Sequence, residues 1–215
     1  MKFFLRIQVI RDHVEKRLWL CQDNYISKIV STFNLQDSKC PTVPLVTNDL
    51  RLYEAQATPQ DIHGYQSRVG SINYAAVVTR PDMSRTAQKL AEFLVNPGPL
   101  HRQAADHAIA YLNGTKYLAC AYRPDSGQPS FACSSDTSFA DDTQSRQSTE
   151  GYHFLLFRGT IDWRCTKQDT VKTSTTEAEL YSLSHAAAQL YWWQRFFSQI
   201  KLDLGQEFKL FCDNL

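Results

Sequence analysis

Ser174-Thr175-Thr176-Glu177-Ala178-Glu179-Leu180-Tyr181-Ser182-Leu183 opens the longest helix-patterned stretch of the chain. Ser174 followed three residues later by Glu177 fits a capping box, in which the cap hydroxyl and the third-position carboxylate satisfy orphan amides reciprocally. Glu179, Leu183, Ala186, Leu190, Trp193 and Phe197 then recur at three- or four-residue spacing. That spacing predicts one face of a helix over 174–200. Glu177 has a structural role in the cap. Glu179 heads an otherwise apolar face, where a carboxylate needs a partner, a proton or a cation unless it reaches solvent at the rim.

Strand patterns flank this helix. Residues 118–122 and 131–135 read as strands around the turn Pro124-Asp125-Ser126-Gly127, and 152–157 and 160–165 as a hairpin turning at Arg158-Gly159. Residues 208–212 form a last strand. Strands, a long helix and a further strand predict a mixed α/β sheet. The N-terminal half reads differently. Residues 3–10 and 17–21 form a hairpin with its turn at 11–16. Asp23 or Asn24 caps a helix burying Tyr25, Ile26, Ile29, Val30 and Phe33. Residues 40–61 read as a loop punctuated by Pro41, Pro44 and Pro59. A helix over 64–79 stops at Arg80-Pro81-Asp82. Ser84 caps the next segment, which Asn96-Pro97-Gly98-Pro99 ends. A helix over 100–112 stops at Gly114.

Composition bounds the function. The 215 residues carry 23 Lys and Arg against 22 Asp and Glu, a formal charge of +1, which excludes a histone-like binder. The balance is uneven: from Ser130 onward eight basic residues face eleven acidic ones. Hydrophobic residues at 43% suffice for a core. No run approaches 18 apolar residues, and Arg6 interrupts the apolar N-terminus before any cleavage site forms. Asn113-Gly114-Thr115 reads as a loop. The six cysteines show no Cys-x-x-Cys and no zinc spacing. The expected location is intracellular, cytoplasm or nucleus, with no membrane role.

Carboxylates carry the candidate chemistry. Asp136 ends the apolar strand Phe131-Ala132-Cys133-Ser134-Ser135, and Asp213 ends Phe208-Lys209-Leu210-Phe211-Cys212. If these strands are parallel neighbours, their carboxyl ends converge at a crevice. Glu179 then joins from the covering helix. Three such carboxylates repel one another unless a cation neutralises them, and Mg2+ suits hard oxygen ligands. Two ions support phosphodiester cleavage. The competing reading makes Asp136 and Asp213 turn residues that close their strands. Phe139-Ala140-Asp141-Asp142 imitates a polymerase Asp-Asp turn, but the polar run Thr143–Ser148 follows where a strand is needed.

Several blocks together carry a resemblance. They are Tyr65-Gln66-Ser67-Arg68-Val69-Gly70-Ser71-Ile72-Asn73-Tyr74, Thr79-Arg80-Pro81-Asp82, Tyr111-Leu112-Asn113-Gly114-Thr115, Ser135-Asp136, Ser148-Thr149-Glu150-Gly151-Tyr152, Trp163 with Lys167-Gln168, Thr175-Thr176-Glu177-Ala178-Glu179 and Cys212-Asp213-Asn214. In order and spacing the series resembles the polyproteins of copia-type LTR retrotransposons, at the end of the reverse transcriptase and the start of the RNase H domain. The resemblance implies a reverse-transcriptase C-terminal region over 1–115, with a primer-grip hairpin and a helical thumb or connection. It implies an RNase H-like domain over 116–215. It implies that Asp136, Glu179 and Asp213 hold two Mg2+ ions, or Mn2+, and that the activity is endonucleolytic cleavage of RNA in RNA–DNA hybrids.

The chain also departs from the family pattern. Arg6 replaces a glycine, and Thr137-Ser138-Phe139 replaces Ala-Asp-Trp after the first catalytic position. The polymerase Asp-Asp turn is expected upstream of Met1, so polymerase activity is not expected. A fourth metal ligand and a last strand are expected beyond Leu215, which reads as a truncated fragment. Implied partners are an RNA–DNA hybrid or other nucleic acid, and the missing polymerase and RNase H segments. Lys28, Lys39, Arg68, Arg80 and Arg85 are candidate phosphate contacts. The rivals to the nuclease are a non-catalytic nucleic-acid-binding remnant and a purely structural fragment.

Overall fold

A computed structural model describes residues 2–46, 50–124, 131–205 and 208–212. Its contacts divide the chain into two compact units, one of residues 1–11 and 19–120, the other of 12–18 and 121–215. The architecture is mixed α/β, with five α-helices and two sheets among the described residues.

The first sheet begins with β1 (Phe3–Phe4), β2 (Ile7–Asp12) and β3 (Arg17–Cys21). The apolar run 3–10 is therefore two strands. Phe4 pairs with Ile7 across Leu5 and Arg6, whose φ angles are 47° and 63°. A two-residue hairpin with both central residues at positive φ matches strand twist but strains non-glycine residues. Arg6→Gly is therefore expected to raise stability by about 1 kcal/mol, and Arg6→Val to lower it, as read from thermal midpoints.

Helix α1 (Asp23–Thr32) buries Tyr25, Ile26, Ile29 and Val30 as expected, but Gln22 is its cap residue, so neither Asp23 nor Asn24 caps it. Helix α2 (Pro59–Val78) starts five residues before the expected Gly64. Thr58 caps it, accepting from Asp61 N at 3.2 Å, with Pro59 in the first helical position. There proline loses no hydrogen bond, so it opens the helix where the sequence suggested loop punctuation. Ser84 is likewise the first residue of α3 (Ser84–Ala91) and not its cap. Helix α4 (Pro99–Gly114) starts at the proline expected to end the preceding segment, and Asn113-Gly114 closes its last turn instead of forming a loop. Ile26, Ile72, Leu90, Ile109 and Leu112 are fully buried at the centre of the first unit, each contributing about 1.5–3 kcal/mol.

His101 is buried in this core and stacks on Phe93 at 4.0 Å. Its Nδ1 accepts from Gly98 N at 2.7 Å and its Nε2 donates to Arg51 O at 2.9 Å. Burial therefore lowers its pKa, opposed by the Arg51 hydrogen bond. A lowered folded pKa means the unfolded chain takes up the proton first. Stability is full above the unfolded value near 6.5 and falls as pH drops through it towards the folded value. Denaturant midpoints are expected to decline from pH 7.5 to 5.5, with a shallower decline in His101→Gln.

β4 (Cys120–Tyr122) follows β3 in the first sheet, so it is no hairpin partner of residues 131–138; the expected turn at 125–127 lies outside the described residues. The second sheet has the order β7-β6-β5-β8, from β5 (Phe131–Ser138), β6 (Thr149–Leu156), β7 (Gly159–Lys167) and β8 (Leu210–Phe211). β5–β6 and β6–β7 are antiparallel, and β5–β8 is parallel. The β6–β7 turn is centred one residue earlier than expected, on Phe157 and Arg158 with φ of 49° and 64°. Gly159 instead starts β7, because any Cβ there would collide with the Tyr122 ring. Helix α5 (Thr175–Gln199) covers β5 and β6, burying Ala186 and Phe197 against Phe131, Cys133 and Phe154. No helix of the described residues is long and apolar enough to cross a membrane.

Candidate functional site

The site residues sit where α5 begins. Ser174 is the cap residue of α5, and its Oγ accepts from Glu177 N at 3.1 Å. Glu177 Oε2 reaches back one residue beyond the expected cap amide, accepting from Thr173 N and Thr173 Oγ1, both at 2.8 Å. Those bonds hold its exposed carboxyl below the usual carboxylate range. Glu179, two residues on, is 4% exposed. It therefore does not reach solvent at the rim. The Cys212 thiol donates to its Oε2 at 3.8 Å.

Asp136 lies near the end of β5. Phe131, Cys133 and Ser135 are buried, whereas Ser134 and Asp136 are exposed. Thr137 Oγ1 donates to Ala178 O at 3.4 Å, so the odd-numbered residues face α5. Alternation gives Asp136 the opposite side of the strand. Its Oδ1 accepts from Thr137 N at 2.8 Å, and its backbone carbonyl accepts from Ser182 Oγ at 3.3 Å. Asp136 and Glu179 thus flank one strand–helix junction, Asp136 on its open side and Glu179 on its closed side. The parallel register Cys133 with Leu210 and Ser134 with Phe211 sets β8 beside β5 at this end. Asp213 lies outside the described residues.

Among the described residues no group of three His, Cys, Asp or Glu side chains converges to hold a metal. Asp136 and Glu179 supply carboxylate oxygens, the donor type that Mg2+ takes. In donor type they suit such an ion, although the two face opposite sides of the junction and a further ligand is required.

Asp142, in the Asp-Asp pair, is 7% exposed. It accepts from Gln144 N at 3.2 Å and Ser145 Oγ at 2.7 Å, and it pairs with Lys167. Its carboxylate organises the loop after β5. Arg68 and Arg80, read from the sequence as candidate phosphate contacts, are buried. Arg68 pairs with Asp106 at 2.6 Å, and Arg80 with Asp82 at 2.7 Å. Their guanidiniums are held by partly exposed carboxylates at the edge of the core. Lys28 and Lys39 are exposed. Cys133 and Cys120 are pushed up to about 12 and about 11 by burial, which keeps them protonated and unreactive.

One cluster escaped the sequence reading. Glu150, 6% exposed, lies 2.6 Å by its Oε1 from His185 Nδ1 and accepts at Oε2 from Gln168 Nε2 at 3.2 Å. The blocks Ser148–Tyr152 and Lys167-Gln168 contain two of these residues, but nothing in their spacing announces a contact.

Comparison with known proteins places the chain. No family model matches it, and no solved structure matches it. Over 98% of its length it is 31% identical to the Retrovirus-related Pol polyprotein from transposon TNT 1-94 of Nicotiana tabacum, and over its whole length 30% identical to that from transposon RE2 of Arabidopsis thaliana. The chain belongs to the copia-type retrotransposon Pol polyproteins. It spans 16% and 14% of those two polyproteins. Over 60% of its length this Pol segment is also 39% identical to Secreted RxLR effector protein 161 of Plasmopara viticola, covering 89% of that protein.

Proposed function

We propose that this Pol segment ends in an RNase H-like unit that cleaves the RNA strand of RNA–DNA hybrids, its first unit being the end of a reverse transcriptase. The observation that carries the reading is the buried Glu179 on the turn of α5 that meets the end of β5, the strand that carries Asp136 and pairs in parallel with β8. Asp136, Glu179 and Asp213 would hold Mg2+, which when bound polarises phosphate and supplies a hydroxide nucleophile at neutral pH. The chain's own residues orient. Ser182 Oγ holds the Asp136 carbonyl, and the Ser174 cap starts the helix that delivers Glu179.

A second reading, hybrid binding without cleavage, draws on the exposed orientation of Asp136, on the side of β5 away from α5. One assay separates the two. A labelled hybrid is incubated with the full chain, with Mg2+ or with EDTA, alongside Asp136→Asn. Cleavage lost in EDTA and in the variant is the result expected of the nuclease. Salt-dependent binding without cleavage by a folded chain would establish the second reading.

A further inference from the structure

We infer that Gln168 is a positioning residue for Glu179, acting through the carbonyl of Ala178, with Glu150 and His185 holding it from behind; the inference rests on the nuclease reading and deepens it. Gln168 directly follows β7 and is 2% exposed. Its Nε2 donates to Ala178 O at 3.0 Å and to Glu150 Oε2 at 3.2 Å. A carbonyl and a carboxylate only accept, so the amide must turn its nitrogen to both. Its own Oε1 is left buried with no partner among the described residues. An orphaned buried acceptor is costly, so this orientation is imposed by the two partners and not by the glutamine's own needs. The backbone of Gln168 is tied as well, donating to Ser148 O at 2.8 Å.

Glu150 is itself fixed. Its Oε1 meets His185 Nδ1 at 2.6 Å, and since the carboxylate accepts, Nδ1 carries the hydrogen. Tyr181 packs edge-on against the His185 ring at 4.6 Å, and the Lys172 ammonium lies 3.7 Å over Tyr181. The chain of contacts thus runs from the surface of α5 through β6 to the residue before Glu179.

A helix carbonyl already accepts from the amide four residues on, so further donors to Ala178 O add nothing to helix propagation. Two nevertheless converge there, Gln168 Nε2 from the end of β7 and Thr137 Oγ1 from β5. Their effect is to fix where this turn sits on the sheet. The Ala178 carbonyl belongs to the peptide that leads into Glu179, and the Asp136 carbonyl is held in turn by Ser182. Both proposed site residues are therefore set by side chains that touch only their adjoining backbone. Outer groups of this kind typically change metal affinity or activity by about 10–100-fold when removed.

The test compares the full native chain with Gln168→Leu, Thr137→Val and Thr137→Ser. Three quantities are measured: amide exchange at residues 178–182, Mn2+ affinity by calorimetry, and kcat and KM on a hybrid. For Gln168→Leu we expect kcat lower by about 10–100-fold, weaker Mn2+ binding, an unchanged KM, and exchange faster at 178–182 than along the rest of α5. Thr137→Val moves the same way by less, and Thr137→Ser, which keeps the donor, restores the native values. Native kcat and Mn2+ affinity in Gln168→Leu overturn the inference. So does a loss shared by kcat, KM and exchange along all of α5, which would mark general unfolding. If Gln168→Leu does not fold, the Thr137 pair decides. If the native chain neither binds Mn2+ nor cleaves, the nuclease reading fails. Exchange at 178–182 then still judges whether Gln168 holds that turn, and unchanged exchange refutes it.

Discussion

Glu179→Gln is expected to slow hybrid cleavage by about 10³-fold, because a metal's stabilisation of developing charge is worth several kcal/mol and each 1.36 kcal/mol is a tenfold change in rate. The substitution keeps size and shape and removes only the charge at a side chain 4% exposed. Glu177→Gln is the internal control. It lies two residues away on the same helix, is exposed, and its oxygen can still accept from Thr173. Its rate should stay native. Single-turnover cleavage of a labelled hybrid measures both. A native rate in Glu179→Gln would remove this residue from the site. Equal losses in both variants would assign the effect to helix capping.

Arg80→Ala is expected to destabilise the first unit by about 2–3 kcal/mol, the cost of losing charge-assisted hydrogen bonds at a buried guanidinium whose partner Asp82 is 35% exposed and can be solvated. Arg80 is 1% exposed. Its Nε and Nη2 fork Asp82 at 2.9 and 2.7 Å, while Nη1 and Nη2 donate to Thr115 O and Oγ1 at 3.2 and 2.7 Å. Tyr111 closes the group, its hydroxyl donating to Asp82 at 3.0 Å and its ring lying 5.5 Å from the guanidinium. Arg80→Lys should fare little better, since a point charge cannot reproduce a planar fork. Urea midpoints measure the loss. The salt dependence of hybrid binding, measured under conditions where the variant stays folded, should be unchanged. A shallower slope would return Arg80 to the phosphate contacts that the sequence suggested.

The long helix was the most legible element. Its periodic face and its Ser174 cap are local signals, and local hydrogen bonding realises them within one residue of the expected bounds. The strands of the second sheet were legible in part: the apolar run 131–135 marked β5, whose pairing extends three residues further, to Ser138. Misreadings arose where one residue type serves two local ends. Pro59 and Pro99 open helices and Gly159 starts a strand, though proline and glycine equally mark stops and turns. The positive φ at Leu5, Arg6, Phe157 and Arg158 had no glycine to announce it.

By itself the sequence determined the face of the long helix and which of its two glutamates heads that face. Periodicity and capping act over three or four residues, and the chain carries them wherever it goes. Which strands pair, that β5 and β8 run parallel, and that β4 and β5 lie in different sheets were decided only by tertiary structure. The same is true of the fate of the charges. Arg68 and Arg80 look like surface cations in one dimension, yet carboxylates 38 and two residues away hold them in the core. Glu150, Gln168 and His185 form one network across 35 residues of chain. The Arg68 pairing and this network depend on long-range closure of the chain, for which no local spacing rule exists, and the burial of Arg80 depends on Thr115 and Tyr111 from α4 and its end.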